Sequence, residues 1–235
     1  MKIGLFTDSH YCTKEIKCNT RRPLLSYSKL DEAINVFKVN NVELIICLGD
    51  LIDTDDEEND IGNLIEISSL LNKSGIECLC CMGNHDAFLF DKSSFEKFTG
   101  LKTAPLSVVK NGKRLILLDA NYDSSQLKYS REKTDWIDSN IPDYEVEWLK
   151  STLSDCLEKE IFIYVHQNLD PAVESHHIIK NAAEIREILA NDGRVRAVYQ
   201  GHFHHGGENT IDNIKYVTLK AMCEGTENYF MILDI

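Results

Sequence analysis

The sequence predicts an α/β domain with parallel strands, crossover helices and added antiparallel strands. Two observations predict it. Short apolar runs alternate with amphipathic helical stretches through the first half of the chain, the pattern of parallel strands joined by crossover helices. Apolar runs then flank Asn111-Gly112, a strong short-range hairpin signal. A third observation points to where a site would lie. Apolar runs end abruptly in Asp8-Ser9-His10, Gly49-Asp50, Gly83-Asn84-His85-Asp86, His166 and Gly201-His202-Phe203-His204. In open α/β sheets, sites form beyond the carboxyl ends of the strands.

Taken in order, residues 2–7 read as a short buried strand, followed by a long aperiodic loop over 11–27. Long loops inside compact domains are often functional. Leu30, Ala33, Ile34 and Phe37 fall at helical spacing, with Ser28 as the expected N-cap and Asp31-Glu32 in the first turn. Residues 42–48 read as a second strand and 60–73 as an amphipathic helix stopped by Gly75. A third strand covers 76–81, and 93–98 reads as a short helix. The hairpin takes 106–110 and 114–118, and a polar connection spans 122–142. The spacing of Trp148, Leu149, Leu153 and Leu157 predicts a helix over 146–157. A strand over 161–165, a loop over 171–177, a helix over 182–190 and strands over 195–199, 214–219 and 228–234 complete the chain. No linker or short repeat interrupts it, so residues 1–235 are expected to form one domain.

Composition narrows the function classes. The net charge is −13, so a long nucleic acid would be repelled unless basic groups clustered. The clusters of note are Arg21-Arg22 and the mixed stretch from Lys128 to Lys133. The acidic run from Asp53 to Asp60 is expected to be a solvated loop or helix start. No apolar run is long enough to span a bilayer, and residues 2–6 lead directly into a strand, so a cytoplasmic location is expected. Cys47, Cys78 and Cys80 sit inside apolar runs, where a free cysteine behaves as a small hydrophobe. Cys78 and Cys81 would face opposite sides of a strand, and a disulfide between Cys12 and Cys18 is disfavoured in a reducing compartment.

The strand-end residues carry the chemistry. Asp8, His10, Asp50, Asn84, His85, His166, His202 and His204 are too many donors for one four-coordinate zinc. They suit two divalent cations held close together. Nitrogen and oxygen donors without thiolate favour manganese, iron or zinc. Asp8 and His10, like His202 and His204, are two residues apart, and on an extended backbone such pairs point the same way. Singly, each has a plain alternative: Asp50 as a turn cap, Asn84 as a turn residue, His166 as a satisfied core histidine. Their recurrence at successive strand ends weighs against that.

The order Asp-x-His, Gly-Asp, Gly-Asn-His-Asp, His, Gly-His-x-His is similar to the calcineurin-like metallophosphoesterase superfamily, over residues 8 to 204. The resemblance implies a four-layer αββα sandwich of two mixed β-sheets flanked by helices, the metallo-dependent phosphatase fold. It implies that Asp8, His10 and His204 hold one metal, Asn84, His166 and His202 a second, and that Asp50 bridges them. It further implies a phosphohydrolase in which a hydroxide held between the metals attacks phosphorus. His85 would bind a phosphoryl oxygen or protonate the leaving oxygen, and Asp86 would orient His85.

A narrower resemblance, to the manganese-dependent ADP-ribose/CDP-alcohol diphosphatase group, rests on two regions. One is Arg21-Arg22, then Leu30 to Phe37, then Leu48-Gly49-Asp50-Leu51-Ile52-Asp53, and the other is Gly201 to Gly207 followed by Val217-Thr218-Leu219-Lys220-Ala221. It implies a small nucleotidic substrate. Arg21 and Arg22 would grip a second phosphate, Asn84 and His85 would touch the first, and Tyr11, Phe88 and Tyr122 are candidates to stack on a base. His176, His177 and His205 are further imidazoles near the site loops and are not expected to be ligands. A cyclic-nucleotide phosphodiesterase or broad phosphatase shares the same motifs. A non-catalytic scaffold would be expected to have lost one of them, and the chain retains all, including His85.

Overall fold

The computed structural model describes residues 1–54, 57–132 and 135–235, without the side chains of residues 57 and 58. Asp55 and Asp56 of the acidic run, and Lys133 of the mixed stretch, lie outside the described residues. The described strands form two sheets. The first holds β1 (Lys2–Phe6), β2 (Leu44–Cys47), β3 (Glu77–Cys80), β4 (Lys102–Thr103) and β11 (Met231–Asp234), in the order β11-β1-β2-β3-β4. The second holds β5 (Leu106–Lys110), β6 (Lys113–Leu118), β7 (Ile161–Val165), β8 (Val195–Gln200), β9 (Gly207–Ile211) and β10 (Ile214–Thr218), in the order β5-β6-β7-β8-β10-β9. Both are mixed: β1 to β4 pair in parallel with β11 antiparallel at the edge, and β6, β7, β8 and β10 pair in parallel between antiparallel β5 and β9.

Period-2 alternation sorts the side chains into layers. Leu44 and Ile46 turn towards the second sheet and pack in one cluster with Leu115, Leu117, Phe162 and Tyr164. Ile45 and Cys47, from the other face of β2, pack under α1 (Ser26–Val39), α2 (Glu57–Ser74) and α4 (Lys92–Thr99) through Leu30, Phe37, Leu64, Ile67 and Phe95. On the far side, Ile116, Ile163 and Val198 meet α5 (Asp143–Asp155) and α6 (Ala182–Asp192) through Leu149, Leu153, Ile185 and Leu189. The result is the four-layer αββα sandwich. Each buried aliphatic side chain contributes about 1.5–3 kcal/mol of hydrophobic stabilisation.

Several local expectations shift. Helix α1 begins at Ser26, so Ser28 is not its N-cap, and the Ser28 hydroxyl donates to the Leu25 carbonyl at 2.9 Å. Helix α5 ends at Asp155, which leaves Leu157 92% exposed rather than on the buried face. The Asn111-Gly112 hairpin forms, with positive φ at both residues as its tight turn demands. A second hairpin joins β9 and β10 through Asp212-Asn213, also both at positive φ. The polar run Gly207–Ile211 gave no apolar strand signal. Two further elements were not anticipated: the two-residue strand β4, and α3 (Asn84–Leu89), a helix that starts inside the Gly83-Asn84-His85-Asp86 turn. The cysteines are free thiols. Among the described residues, no helix is long and apolar enough to cross a membrane.

Candidate metal centre and cleft

All the expected donors converge at one end of the sandwich, but by a route different from the one expected. Asp8, His10, Asp50 and His202 all have positive φ, at 51°, 43°, 52° and 64°. The paired donors therefore do not lie on extended backbone. Left-handed bends after the strands aim them inward, a conformation that costs energy in residues with a side chain and persists only where neighbours enforce it. Here the Asp8 amide donates to the Gly49 carbonyl and the His10 amide to the Asp50 carbonyl, both at 2.9 Å. Gly83 has ordinary φ, and its need is space. A Cβ there would stand 2.0 Å from Asp50 Oδ1 and 2.4 Å from the Asp50 amide nitrogen.

The donor atoms fall into two groups that share Asp50. In the first, His204 Nε2 lies 3.4 Å from Asp8 Oδ1 and 3.2 Å from His10 Nε2, which is 3.4 Å from Asp50 Oδ2. In the second, His166 Nε2 lies 3.3 Å from Asp50 Oδ2 and 3.3 Å from Asn84 Oδ1. Donor atoms of Asp50, His166 and His202 lie within 4.8 Å of one another. Ligands about 2.0–2.2 Å from a cation stand roughly 3.0–3.5 Å apart, so these spacings fit cation coordination. Asp8 Oδ1 and His202 Nε2 are buried without a hydrogen-bond partner among the described residues. An unpaired buried polar atom is costly, and a cation between the donors would remove that cost. The residues present fit two divalent ions.

The electrostatics agree. Burial pushes the Asp50 carboxyl up, but the imidazoles of His166, His85 and His10 outweigh it and hold it below the usual carboxylate range. Burial lowers His166, yet Asp50 raises it to about 9. Burial likewise lowers His204, yet its contacts with Asp8, Cys223 and Glu224 push it up to about 12. The carboxylates thus favour positive charge at His166 and His204, whereas burial outweighs them at the other two imidazoles, taking His10 down to about 4 and His202 down as well.

His85 stands over this centre, its ring edge-on to His10 with centroids 4.6 Å apart. Its amide donates to Asp50 Oδ1 at 2.9 Å. Its Nδ1 lies 3.3 Å from Asp53 Oδ1 and 3.3 Å from Thr54 Oγ1. The expectation that Asp86 orients His85 is corrected. The Asp86 carboxylate accepts from the amides of Leu51 and Gly83, both at 3.0 Å, and of Ile52 at 3.4 Å. It ties the Gly83 turn to the segment after Asp50, and Asp53 faces His85 instead. Asp53 was expected in a solvated acidic loop, yet it is 1% exposed, with Lys17 Nζ at 2.8 Å and Arg21 Nη1 at 3.7 Å. Its position three residues after Asp50 was the available signal. Glu224 was also missed. It accepts from His204 Nδ1 at 2.7 Å, and nothing in the spacing marks a residue twenty positions downstream.

The centre opens into a cleft of about 840 Å³, whose walls include Lys17, Arg21, Trp136, Phe203, Lys220 and Tyr229. Arg21 is where the sequence suggested. Arg22 points away, donating to the carbonyls of Asn19 and Arg21 at 3.1 Å. None of Tyr11, Phe88 and Tyr122 lines the cleft. Tyr11 donates to Glu66 at 2.9 Å, and the Tyr122 hydroxyl pairs with that of Tyr144 at 2.8 Å. The aromatic wall is Trp136, Phe203 and Tyr229 instead.

Residues 1–206 match the calcineurin-like phosphoesterase family. The chain belongs to that family. That family uses divalent metal ions. It is 23% identical over 187 residues to the 3′,5′-cyclic adenosine monophosphate phosphodiesterase CpdA of Haemophilus influenzae, covering 78% of this chain and 62% of the relative. The chain thus spans less than two thirds of that curated relative's length. Its fold is shared with a dimetal phosphatase from Danio rerio, at a TM-score of 0.83 and 18% identity, covering 98% of this chain and 91% of the other. The structure of the Haemophilus influenzae NAD nucleotidase NadN is similar at a TM-score of 0.55 and 13% identity, covering 100% of this chain and 49% of that one.

Proposed function

We propose that this phosphoesterase hydrolyses a phosphodiester or phosphoanhydride bond in a small nucleotide-like substrate at a dinuclear centre of manganese, iron or zinc. The observation that carries the reading is Asp50, whose Oδ2 stands 3.4 Å from an imidazole of one donor group and 3.3 Å from an imidazole of the other. Asp8, His10 and His204 would hold one cation, Asn84, His166 and His202 the second, with Asp50 between. Two such ions, when bound, supply Lewis acidity to the phosphoryl oxygens and lower the pKa of water.

The protein's own groups do the rest. His85, on the cleft wall, donates a proton to the leaving oxygen. Asp53 stabilises its charged form and fixes the ring through Nδ1, so the other ring nitrogen faces the substrate. Burial lowers the His85 pKa, but Asp50 and Asp53 outweigh it and raise the net value, which suits a proton donor. Arg21 and Lys17, gathered beside Asp53, present positive charge to a second phosphate. Trp136, Phe203 and Tyr229 offer rings for a base. The cleft falls within the roughly 300–1,000 Å³ of small-molecule sites, and the net charge of −13 disfavours long nucleic acid.

The similarity to a cyclic AMP phosphodiesterase supports a cyclic-nucleotide substrate as the second reading. Turnover of bis-p-nitrophenyl phosphate with manganese, in wild type, Asp50→Asn and His85→Ala, tests the chemistry. A wild type without metal-dependent turnover defeats the proposal. ADP-ribose, CDP-choline, cyclic AMP and a phosphomonoester, compared by kcat/KM, then separate the substrate classes.

A further inference from the structure

A second set of donors lies on the loop that follows His166. We infer that Glu174, His176 and His177 form a third cation site, at the mouth of the cleft, for a divalent transition metal of zinc type. In sequence the two imidazoles lacked an acidic partner of fixed geometry. The fold supplies one. A 3-10 turn over Ser175–His177 folds the chain back, with the His177 amide donating to the Glu174 carbonyl at 2.9 Å. Glu174 Oε2 then stands 3.1 Å from His176 Nε2 and 3.9 Å from His177 Nδ1. One donor atom from each of the three lies within 4.8 Å of the others.

Donors about 2.0–2.1 Å from a tetrahedral zinc are separated by roughly 3.3–3.4 Å, which the two measured spacings bracket. Two imidazoles and a carboxylate are a zinc donor set that leaves the fourth position open. His177 Nδ1 is buried and has no hydrogen-bond partner among the described residues. The loop is also held in place. The Asn168 amide donates to the His177 carbonyl and the Ile179 amide to the Asn168 carbonyl, both at 3.1 Å. Trp136 backs the two imidazoles, with ring centroids at 5.4 Å and 5.5 Å. Such anchoring lowers the cost of ordering ligands on binding. The donors are separate from those of the main centre, although the His177 ring contacts His202 at 5.1 Å.

The test is zinc stoichiometry by equilibrium dialysis against excess zinc, with zinc-edge anomalous scattering from zinc-grown crystals. Wild type is expected to bind one equivalent more than either His176→Ala or Glu174→Gln, with an anomalous peak among the three donors. His176 does not line the cleft, so His176→Ala should keep the basal phosphoesterase activity. Asp50→Asn should lose zinc from the main centre but keep the equivalent that His176 governs. That separates failure of this site from failure of the phosphoesterase reading. Equal zinc content in wild type and His176→Ala, or no anomalous peak at the loop, overturns the inference.

Discussion

The two donor groups of the proposed centre look alike in outline and differ in charge. The first contains the Asp8 carboxylate, and its His204 is clamped from behind by Glu224 at 2.7 Å. Asp8 is itself fixed, accepting at Oδ2 from the Thr7 hydroxyl at 2.6 Å and the His202 amide at 3.1 Å. The second has no carboxylate of its own besides the shared Asp50. Asn84 contributes an amide, and His166 Nδ1 lies 2.8 Å from the Leu48 carbonyl. In a buried site each extra negative charge counts for more than it would in water. The first group should therefore hold its cation more tightly, and the second should exchange its cation. A manganese titration of the metal-free protein would then show two unequal affinities, the weaker one governing activity.

Breaking the element common to both groups should have the largest effect. Asp50→Asn removes the carboxylate that both share, so both cations should be weakened together. Activity should fall by at least about 10⁴-fold, the several kcal/mol that Lewis-acid stabilisation supplies. Metal content by elemental analysis should fall with it. Retention of two bound ions at wild-type affinity would show that the groups do not depend on Asp50. His85→Ala should come next, with activity down by about 10³-fold and both metal affinities unchanged. That outcome would separate the proton donor from the donor groups it stands over.

Glu224→Gln should split the two groups. A carboxylate behind a ligating imidazole raises its basicity and fixes its orientation, and losing one costs roughly 10–100-fold in metal affinity. The loss should fall on the tighter cation alone and narrow the gap between the two affinities in the manganese titration. An equal loss at both would contradict the assignment of His204 to the first group.

How much of this was legible in the sequence follows from what each feature depends on. The layers were legible because alternation in β2 and helical spacing in α1 are local, and Asn111-Gly112 is a local turn. The convergence of the candidate donors was legible because Asp8, Asp50, Asn84, His166 and His202 each follow within a few residues of a strand's end. Asp53 and Glu224 were not, because their value comes from partners brought near by the fold, His85 and His204. Asp86 misled for a related reason. Its neighbour in sequence is His85, but helix α3 starts at Asn84 and turns the carboxylate back onto the amides of Leu51 and Gly83. Arg21 and Arg22 show the same limit: adjacent in sequence, they diverge because one faces Asp53 and the other its own loop's carbonyls.

The smallest expected effect tests the contrast on stability rather than on activity. Glu145 is as buried as Asp8, but it lies outside both donor groups. One oxygen accepts from the Asp119 amide at 2.8 Å, and the other has no hydrogen-bond partner among the described residues. Burial raises its pKa first and the Asp119 charge second. The Asp119 amide bond and the charges of Lys128 and Lys92 only partly oppose this, so the net shift is well upward. The folded state thus holds a proton that the unfolded chain releases near its ordinary pKa. Folding stability from this group is full below about pH 4.5 and declines as pH rises through the window up to the raised value. Glu145→Gln keeps an oxygen for the Asp119 amide and removes the ionisation. The variant should be more stable than wild type at pH 7–8, by about 1 kcal/mol, and the difference should vanish near pH 4. Urea unfolding midpoints across that range would measure it. A variant less stable at every pH would mean that the carboxylate is compensated in the fold, as those of the two donor groups are.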